Sequence, residues 1–437
     1  MTHESTMSEK KVSILYFRGF RNLWVGQVIS QFGDQMYGLV FLWLVLEVTN
    51  SPTAVGIVGA FSAAPYVFFS LYAGTLADRI DRRLLLLWSD ILSAVLIFLF
   101  AVVLAFDPKP HLWTICAFGF ALGSANVIAA PARAAIIPRL VPVDRLQDAI
   151  AMNSMSQGAM PLLGSLLSAA ILTPLFKLSS LFAYLLTFGI NGLTFLVSAL
   201  FMRALPRVVA HREDVHKNIW QDTKDGIRYL FSHPILLPSV FVSIGISLCI
   251  SPFMPAYVVV AQQQYNGSPG LLGLLETGFF AGIVIGSLLA MRFKTKRPGI
   301  AFAFWFAICA LPIVPMGYIA YLGTSYWVKI GVFWLLNLIS GIAMPLGQIP
   351  LQTLIQSQTE DAFRGRVNSA LGMVIGIVWP LGTALSGYLI SILGLPNLFV
   401  LMGIGLMFCG LSGLLFSSIR NAVAVIEPTP NASIPSE

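Results

Sequence analysis

Apolar runs long enough to cross a hydrocarbon layer recur along almost the whole chain, at roughly 21–47, 53–77, 84–106, 112–132, 149–171, 180–202, 236–261, 270–291, 299–322, 326–348, 368–393 and 396–418. Hydrocarbon offers no partner to an unpaired backbone amide, so each run must be a helix that satisfies its own hydrogen bonds. With 57% hydrophobic and only 10% charged residues, the chain is neither a soluble globular protein nor a disordered one. The expected fold class is an all-α integral membrane protein with twelve transmembrane helices.

The connections are as informative as the runs. Gly74 to Arg83 reads GTLADRIDRR, a short polar turn that separates the second run from the third and must lie at the water boundary. Its Arg79, Arg82 and Arg83 assign that boundary to the cytoplasm. The rest of the chain agrees: of the 26 Lys and Arg residues, only Lys109, Lys177 and Lys329 fall on the other side. Residues 1–17 are mostly polar, with no apolar core leading to a cleavage site, so no secretory signal is visible. Both termini are expected in the cytoplasm, and the location is the inner membrane.

The pattern G-x-L-A-D-R-x-x-R-R after the second span resembles the loop motif of the major facilitator superfamily. Its Asp81-Arg82-Arg83 ending is similar to the branch of drug, macrolide and siderophore exporters, as are PARAAIIPRLVP and AIAMNS further on. Gly158, Pro161 and Gly164 in the fifth run partly match the superfamily's antiporter motif, with Met160 where a Gly precedes the Pro. The resemblance implies two pseudo-symmetric six-helix bundles around a central cavity that opens alternately to each side.

An internal repeat points the same way. An offset of about 217 to 219 residues lays Ser51, Pro52 and Gly56 over Ser268, Pro269 and Gly273, Gly123 over Gly341, and Pro161, Gly164 and Ser168 over Pro380, Gly382 and Ser386. Six spans per half bring both halves in from the same side, the parallel-repeat plan. The expected organisation is a cytoplasmic segment 1–20, a bundle 21–202, a cytoplasmic linker 203–235, a second bundle 236–418 and a disordered tail 419–437. In the linker, Ile219, Trp220, Thr223, Ile227, Leu230 and Phe231 share one helical face suited to the membrane surface. Pro252 and Pro255 should break the seventh helix.

Asp34 is the sharpest functional candidate. Gln27, Gln31, Asp34 and Gly38 form one stripe of the first helix, flanked by Ser30 and Tyr37, and a polar stripe should face protein or water. An ionised carboxylate that deep is costly, so Asp34 should be protonated part of the time, paired, or open to a water-filled cavity. Any of these suits proton coupling; a helix-joining hydrogen bond is the plainer alternative. Glu276 is a second proton or cation candidate, with an interfacial Glu meeting water as its alternative. Asp90 reads as structural, paired with loop arginines. Gln27, Gln31, Tyr37, Asn126, Asn153, Gln157 and Asn337 are cavity candidates, along with Gln348, Trp43 and Tyr257. Gly74, Asp78, Arg79, Arg82, Arg83, Arg133, Arg364 and Arg366 are gate candidates: in the superfamily the motif's Asp packs near the start of the eleventh helix, where the helix dipole and neighbouring arginines favour a carboxylate.

Several classes are excluded or disfavoured. The net charge of +7 lies in loops between spans, where it sets topology, and implies no nucleic acid. Cys116, Cys249, Cys309 and Cys409 lie alone and far apart in apolar runs and read as core residues, with no metal site and no disulfide. No phosphate loop, metalloprotease or nucleophile motif appears, so no ATP hydrolysis, enzyme activity or cofactor is expected. What the resemblance implies is a monomeric secondary transporter in the lipid bilayer that exports an amphipathic small molecule (drug, macrolide or siderophore class) by proton antiport. A lipid or lysolipid flippase would use the same fold, and a non-transporting scaffold or sensor is the alternative from another class.

Overall fold

The computed structural model describes residues 13–142, 145–206, 228–292, 295, 297–359 and 364–421, and these are helical with no strand among them. The spans are α1 (Arg18–Thr49), α2 (Pro52–Arg79), α3 (Arg82–Phe106), α4 (Leu112–Leu140), α5 (Leu146–Leu178), α6 (Ser180–Arg203), α7 (Leu236–Ile250), α8 (Pro269–Arg292), α9 (Pro298–Met316), α10 (Tyr326–Ser357), α11 (Arg364–Leu393) and α12 (Leu395–Ser412). All are long and apolar enough to cross a membrane once α7 is joined to its continuation.

Local chemistry sets the boundaries. Asn50, left-handed at φ 49°, closes α1, and Ser51 then caps α2 by accepting from the Ala54 amide, with Pro52 preset in the first turn. Asp81 caps α3 through the Arg83 amide at 3.0 Å. Gly394, at φ 77°, makes the turn between α11 and α12 that an L side chain resists. The expected ten-residue turn is therefore much shorter: Gly74 to Arg79 are the last turns of α2, and only Ile80 and Asp81 lie between helices. Likewise α4 does not stop near Arg133 but continues through Pro131 and Pro138 to Leu140. Prolines are tolerated there because neighbouring helices re-satisfy the freed backbone. As expected, α7 breaks at Ser251 and Pro252, resuming as Phe253–Val259 and a wider π turn, Val260–Gln264.

The packing repeats between halves. In the first, α2 packs on α4, and α6 on α1 and α3; in the second, α8 packs on α10, and α12 on α7 and α9. Each bundle has an aromatic core, Tyr37, Phe41, Phe100 and Phe188 in one and Phe253, Tyr257, Phe333 and Phe399 in the other. The bundles meet along two seams, α2 with α11 and α5 with α8.

Both seams are tight at the end away from the termini. A Cβ on Gly56 would stand 2.8 Å from the Thr383 carbonyl oxygen and 2.9 Å from the Gly387 amide, and one on Gly273 2.8 Å from the Ser165 carbonyl oxygen. Thr53 adds hydrogen bonds to the Gly387 carbonyl and the Ser391 hydroxyl. Backbone approach of this kind is what small residues provide between membrane helices. Towards the terminus-bearing end, Gly158 on α5 and Gly372 on α11 have no neighbouring atom within 4 Å of a Cβ position. The bundles are pressed together at the far end, and on the other side of the Gly376 contact with Tyr66, Gly372 and Gly158 face open space.

Candidate functional site

Two cavities, of about 400 and about 470 Å³, meet at Ile375 and Trp379 on α11. Together they have the size and mixed lining of small-molecule sites. The first belongs to the second bundle: Ser243 and Ser247 on α7 and Gln348 and Gln352 on α10 are set among Ile246, Met344, Leu351 and Leu371. The four-residue serine spacing presents these hydroxyls on one face, and Ser243 donates back to the Ser239 carbonyl, so this stripe carries little net polarity. The second cavity lies between bundles, with Ser62 and Tyr66 on α2, Gly123 and Asn126 on α4, and Gly372 and Gly376 on α11.

Deeper in the first bundle lies a cluster of charges. Gly33 lets α1 approach α6 at Asn191 and Thr194, and Gly26 lets it approach Ser198 and Phe201. Asp34, half-buried, comes beside the Asn191 amide, within electrostatic reach of Arg133 on α4 and Asp90 on α3. Asp90 is buried and accepts from the Ser198 hydroxyl at 2.6 Å. Among the described residues its basic neighbour is Arg133, which lies within a span. Gln27 Nε2, Gln31 Oε1, Arg133 Nε, Asn153 Oδ1 and Asn191 Nδ2 are buried without a hydrogen-bond partner among the described residues. Unsatisfied groups at this density are costly in a packed interior.

Glu276 is not interfacial. It is buried at 3% exposure, and one carboxylate oxygen accepts from both Gln35 Nε2 on α1 and Ser165 Oγ on α5, each at 3.2 Å. A second-bundle acid is thereby bonded to two helices of the first. Its other oxygen has no partner among the described residues.

The remaining candidates divide. Asn126 lines the cavity between bundles, Gln348 the second-bundle cavity, and Gln157 is exposed beside the open Gly158. Asn337 instead sits in the second bundle's core, accepting from the Tyr257 hydroxyl and donating to the Leu275 carbonyl, so neither Asn337 nor Tyr257 faces a cavity. Tyr37 stacks on Phe41 at 4.9 Å and belongs to the first bundle's aromatic core. Trp43 is buried towards the far end. Among the gate candidates, Arg82 donates to the Ala135 carbonyl and Arg83 to the Arg203 carbonyl, tying α3 to α4 and α6. Arg133 belongs to the charge cluster. The side chains of Gly74, Asp78, Arg79, Arg364 and Arg366 lie outside the described residues, as does most of the linker's apolar face. Cys249 and Cys409, far apart in sequence, are neighbours across α7 and α12: the Cys409 sulfur abuts Gly245, the Cys249 sulfur abuts Gly405, and both thiols are free.

Sequence reading passed over Gln35, Ser165, Asn191 and Trp379. Gln35 follows Asp34 directly, so it points about 100° off the polar stripe, and only the identity of its partner makes it significant. Asn191 was the most accessible of these, a lone amide in the middle of an apolar run.

A family model described as Major Facilitator Superfamily matches residues 23–383 and 249–434. Macrolide efflux protein A of Streptococcus pyogenes is 22% identical over 385 residues, covering 88% of this chain and 92% of the relative. Among solved structures, a proton-dependent oligopeptide transporter superposes with a TM-score of 0.70 at 12% identity, covering 92% of this chain and 99% of its own. The nucleoside transporter NupG gives 0.70 at 13% identity, over 91% and 98%. At these identities the structural likeness establishes the fold alone.

Proposed function

The chain belongs to the Major Facilitator Superfamily and is a multi-pass membrane transporter, and from that premise we propose that it exports amphipathic small molecules of the drug, macrolide or siderophore class by alternating access, driven by proton antiport. The observation that carries the reading is the contrast between the two ends: glycine seams closed at one, Gly158 and Gly372 facing open space at the other. This is one member of a pair of states, loaded from the terminus-bearing side. The distribution of Lys and Arg assigns that side to the cytoplasm, so cargo enters the cavity around Trp379 from within the cell. The apolar lining, relieved by Ser243, Ser247, Gln348, Gln352, Tyr66 and Asn126, suits a bulky cargo with few polar groups.

Asp34 is the proton site. It lies beside Asn191 with Arg133 and Asp90 in reach, so one proton more or less changes the net charge of an enclosed cluster and the balance between states. The relatedness to a macrolide efflux protein supports the direction and the class of cargo. Asp78 and the arginines of its motif are the cytoplasmic gate, and the protein acts as a monomer in the inner membrane with both termini inside.

The test is a growth-inhibition panel of macrolides, dyes and siderophores in an efflux-deficient bacterial host, comparing wild type with Asp34→Asn at matched membrane expression. Protection that disappears in the variant and with a protonophore supports the reading. Protection by neither chain, together with movement of labelled lysolipid in proteoliposomes, would replace it with a flippase.

A further inference from the structure

At the far end, outside the closed seam, lies a crevice of about 770 Å³ lined by both bundles. Its walls carry four aromatic side chains, Trp43, Phe176, Tyr326 and Trp327, and two charges, Glu47 on α1 and Lys177 on α5. The Glu47 carboxylate is steadied by the Tyr184 hydroxyl. A simple cation would be repelled by Lys177 and a simple anion by Glu47, whereas a zwitterion pairs with both. The aromatic walls accept an apolar body and favour an ammonium lying against their faces. We propose that this crevice is a second binding site, open to the far side, for a small zwitterionic amphiphile, and that its occupation holds the far end closed.

The conformational half of the proposal follows from what lies beneath. Glu47, Trp43, Leu39 and Gln35 are spaced four apart on α1, and Lys177, Thr173, Ala169 and Ser165 four apart on α5, so each set is one stripe running down from the crevice. Between them α8 brings Gly270 so close to Ala169 that a Cβ on the glycine would stand 2.9 Å from the Ala169 carbonyl oxygen, and it sets Gly273 against Ser165 and Leu39. At the foot of the column Gln35 and Ser165 bond Glu276. The three helices that floor the crevice are thus the three joined by Glu276. Parting the far end would pull Glu47 and Trp43 away from Asn266, Leu271 and Tyr326, so a ligand touching both sides binds this state and not the other. The site goes beyond the export reading, because it takes its ligand from the opposite face and is read out by binding, without transport.

The experiment uses the full chain in nanodiscs, with Nε-dansyl-lysine as the probe, a zwitterion on an aromatic body. Saturable dansyl emission excited through tryptophan is expected, with affinity reduced by about tenfold in Glu47→Gln and in Lys177→Gln, the scale of a lost charge-assisted bond. Trp327→Ala, truncating a side chain 71% exposed, should weaken it without touching the core. Gly158→Cys in a background lacking the native cysteines should react faster with a maleimide when the probe is present. Nanodiscs with and without phosphatidylethanolamine separate the sources of the zwitterion: competition by that lipid assigns the site to a headgroup, its absence to a soluble amphiphile. Unchanged affinity in all three variants would overturn the site, and unchanged labelling at position 158 would overturn its hold on the conformation.

Discussion

The two bundles share one helix-packing plan and differ in how they treat polar groups. In the second, the polar side chains of the core are paired, Tyr257 with Asn337, Trp334 with Thr277 at 2.9 Å and Ser340 with the Cys309 carbonyl at 3.1 Å, while Gln264 Oε1 and Tyr265 Oη, nearer the far end, have no partner among the described residues. In the first, two acids and an arginine gather around amides that are left partly unsatisfied. At the offset that lays Pro52 over Pro269, Asp34 corresponds to Ser251, which merely donates to the Leu248 carbonyl. A duplicated fold has kept its frame twice and its charge once. Matched pairs rigidify; unmatched charges in a low-dielectric interior respond to a proton. Glu276 is the buried acid of the second bundle, and its partners come from the first.

The sharpest way to break this comparison is to neutralise the equivalent positions in turn. Asp34→Asn should reduce export roughly tenfold or more in proteoliposomes with an imposed pH gradient, while Ser251→Ala should change it by less than about twofold. Equal losses would mean that the bundles are functionally alike. A smaller effect is expected at the link between halves. Gln35→Leu removes one of the two donors to Glu276 and leaves the Ser165 bond in place, a change of about 0.5–1.5 kcal/mol, and should shift the population towards the far-end-open state, seen as slower maleimide labelling of Cys at position 158. The smallest functional effect belongs to the matched core. Tyr257→Phe strands Asn337 and should cost about 1–3 kcal/mol of stability, read as a lower melting temperature, with the pH dependence of transport unaltered.

The frame was legible because it is written in run length, proline and repeat. Hydrocarbon thickness fixes the spans, and the Pro252 break follows from a missing amide. Boundaries were less so: polar residues at Asp78 and Arg79 read as loop, yet the helix extends past the hydrocarbon to hold them, and Arg133 marked no helix end. The site was legible only by residue type. Asp34 and Glu276 stood out because charge in an apolar run is rare, but whether an amide faces cavity or core depends on side-chain direction across neighbouring helices. Asn126 and Asn337 look alike in sequence; one lines a cavity and the other is sealed beside Tyr257. Partners such as Gln35 and Ser165, set 241 and 111 positions from Glu276, share no local pattern with it.

The glycine seams carry a consequence for energetics. Where Gly56 and Gly273 press against backbone, there are no long side chains to reorder when the helices part, so separation costs mainly dispersion and a few hydrogen bonds. On the alternating-access reading, a boundary of that kind acts as a shallow switch rather than a lock, and a ligand preferring one state by about 5.5 kcal/mol carries nearly the whole population with it.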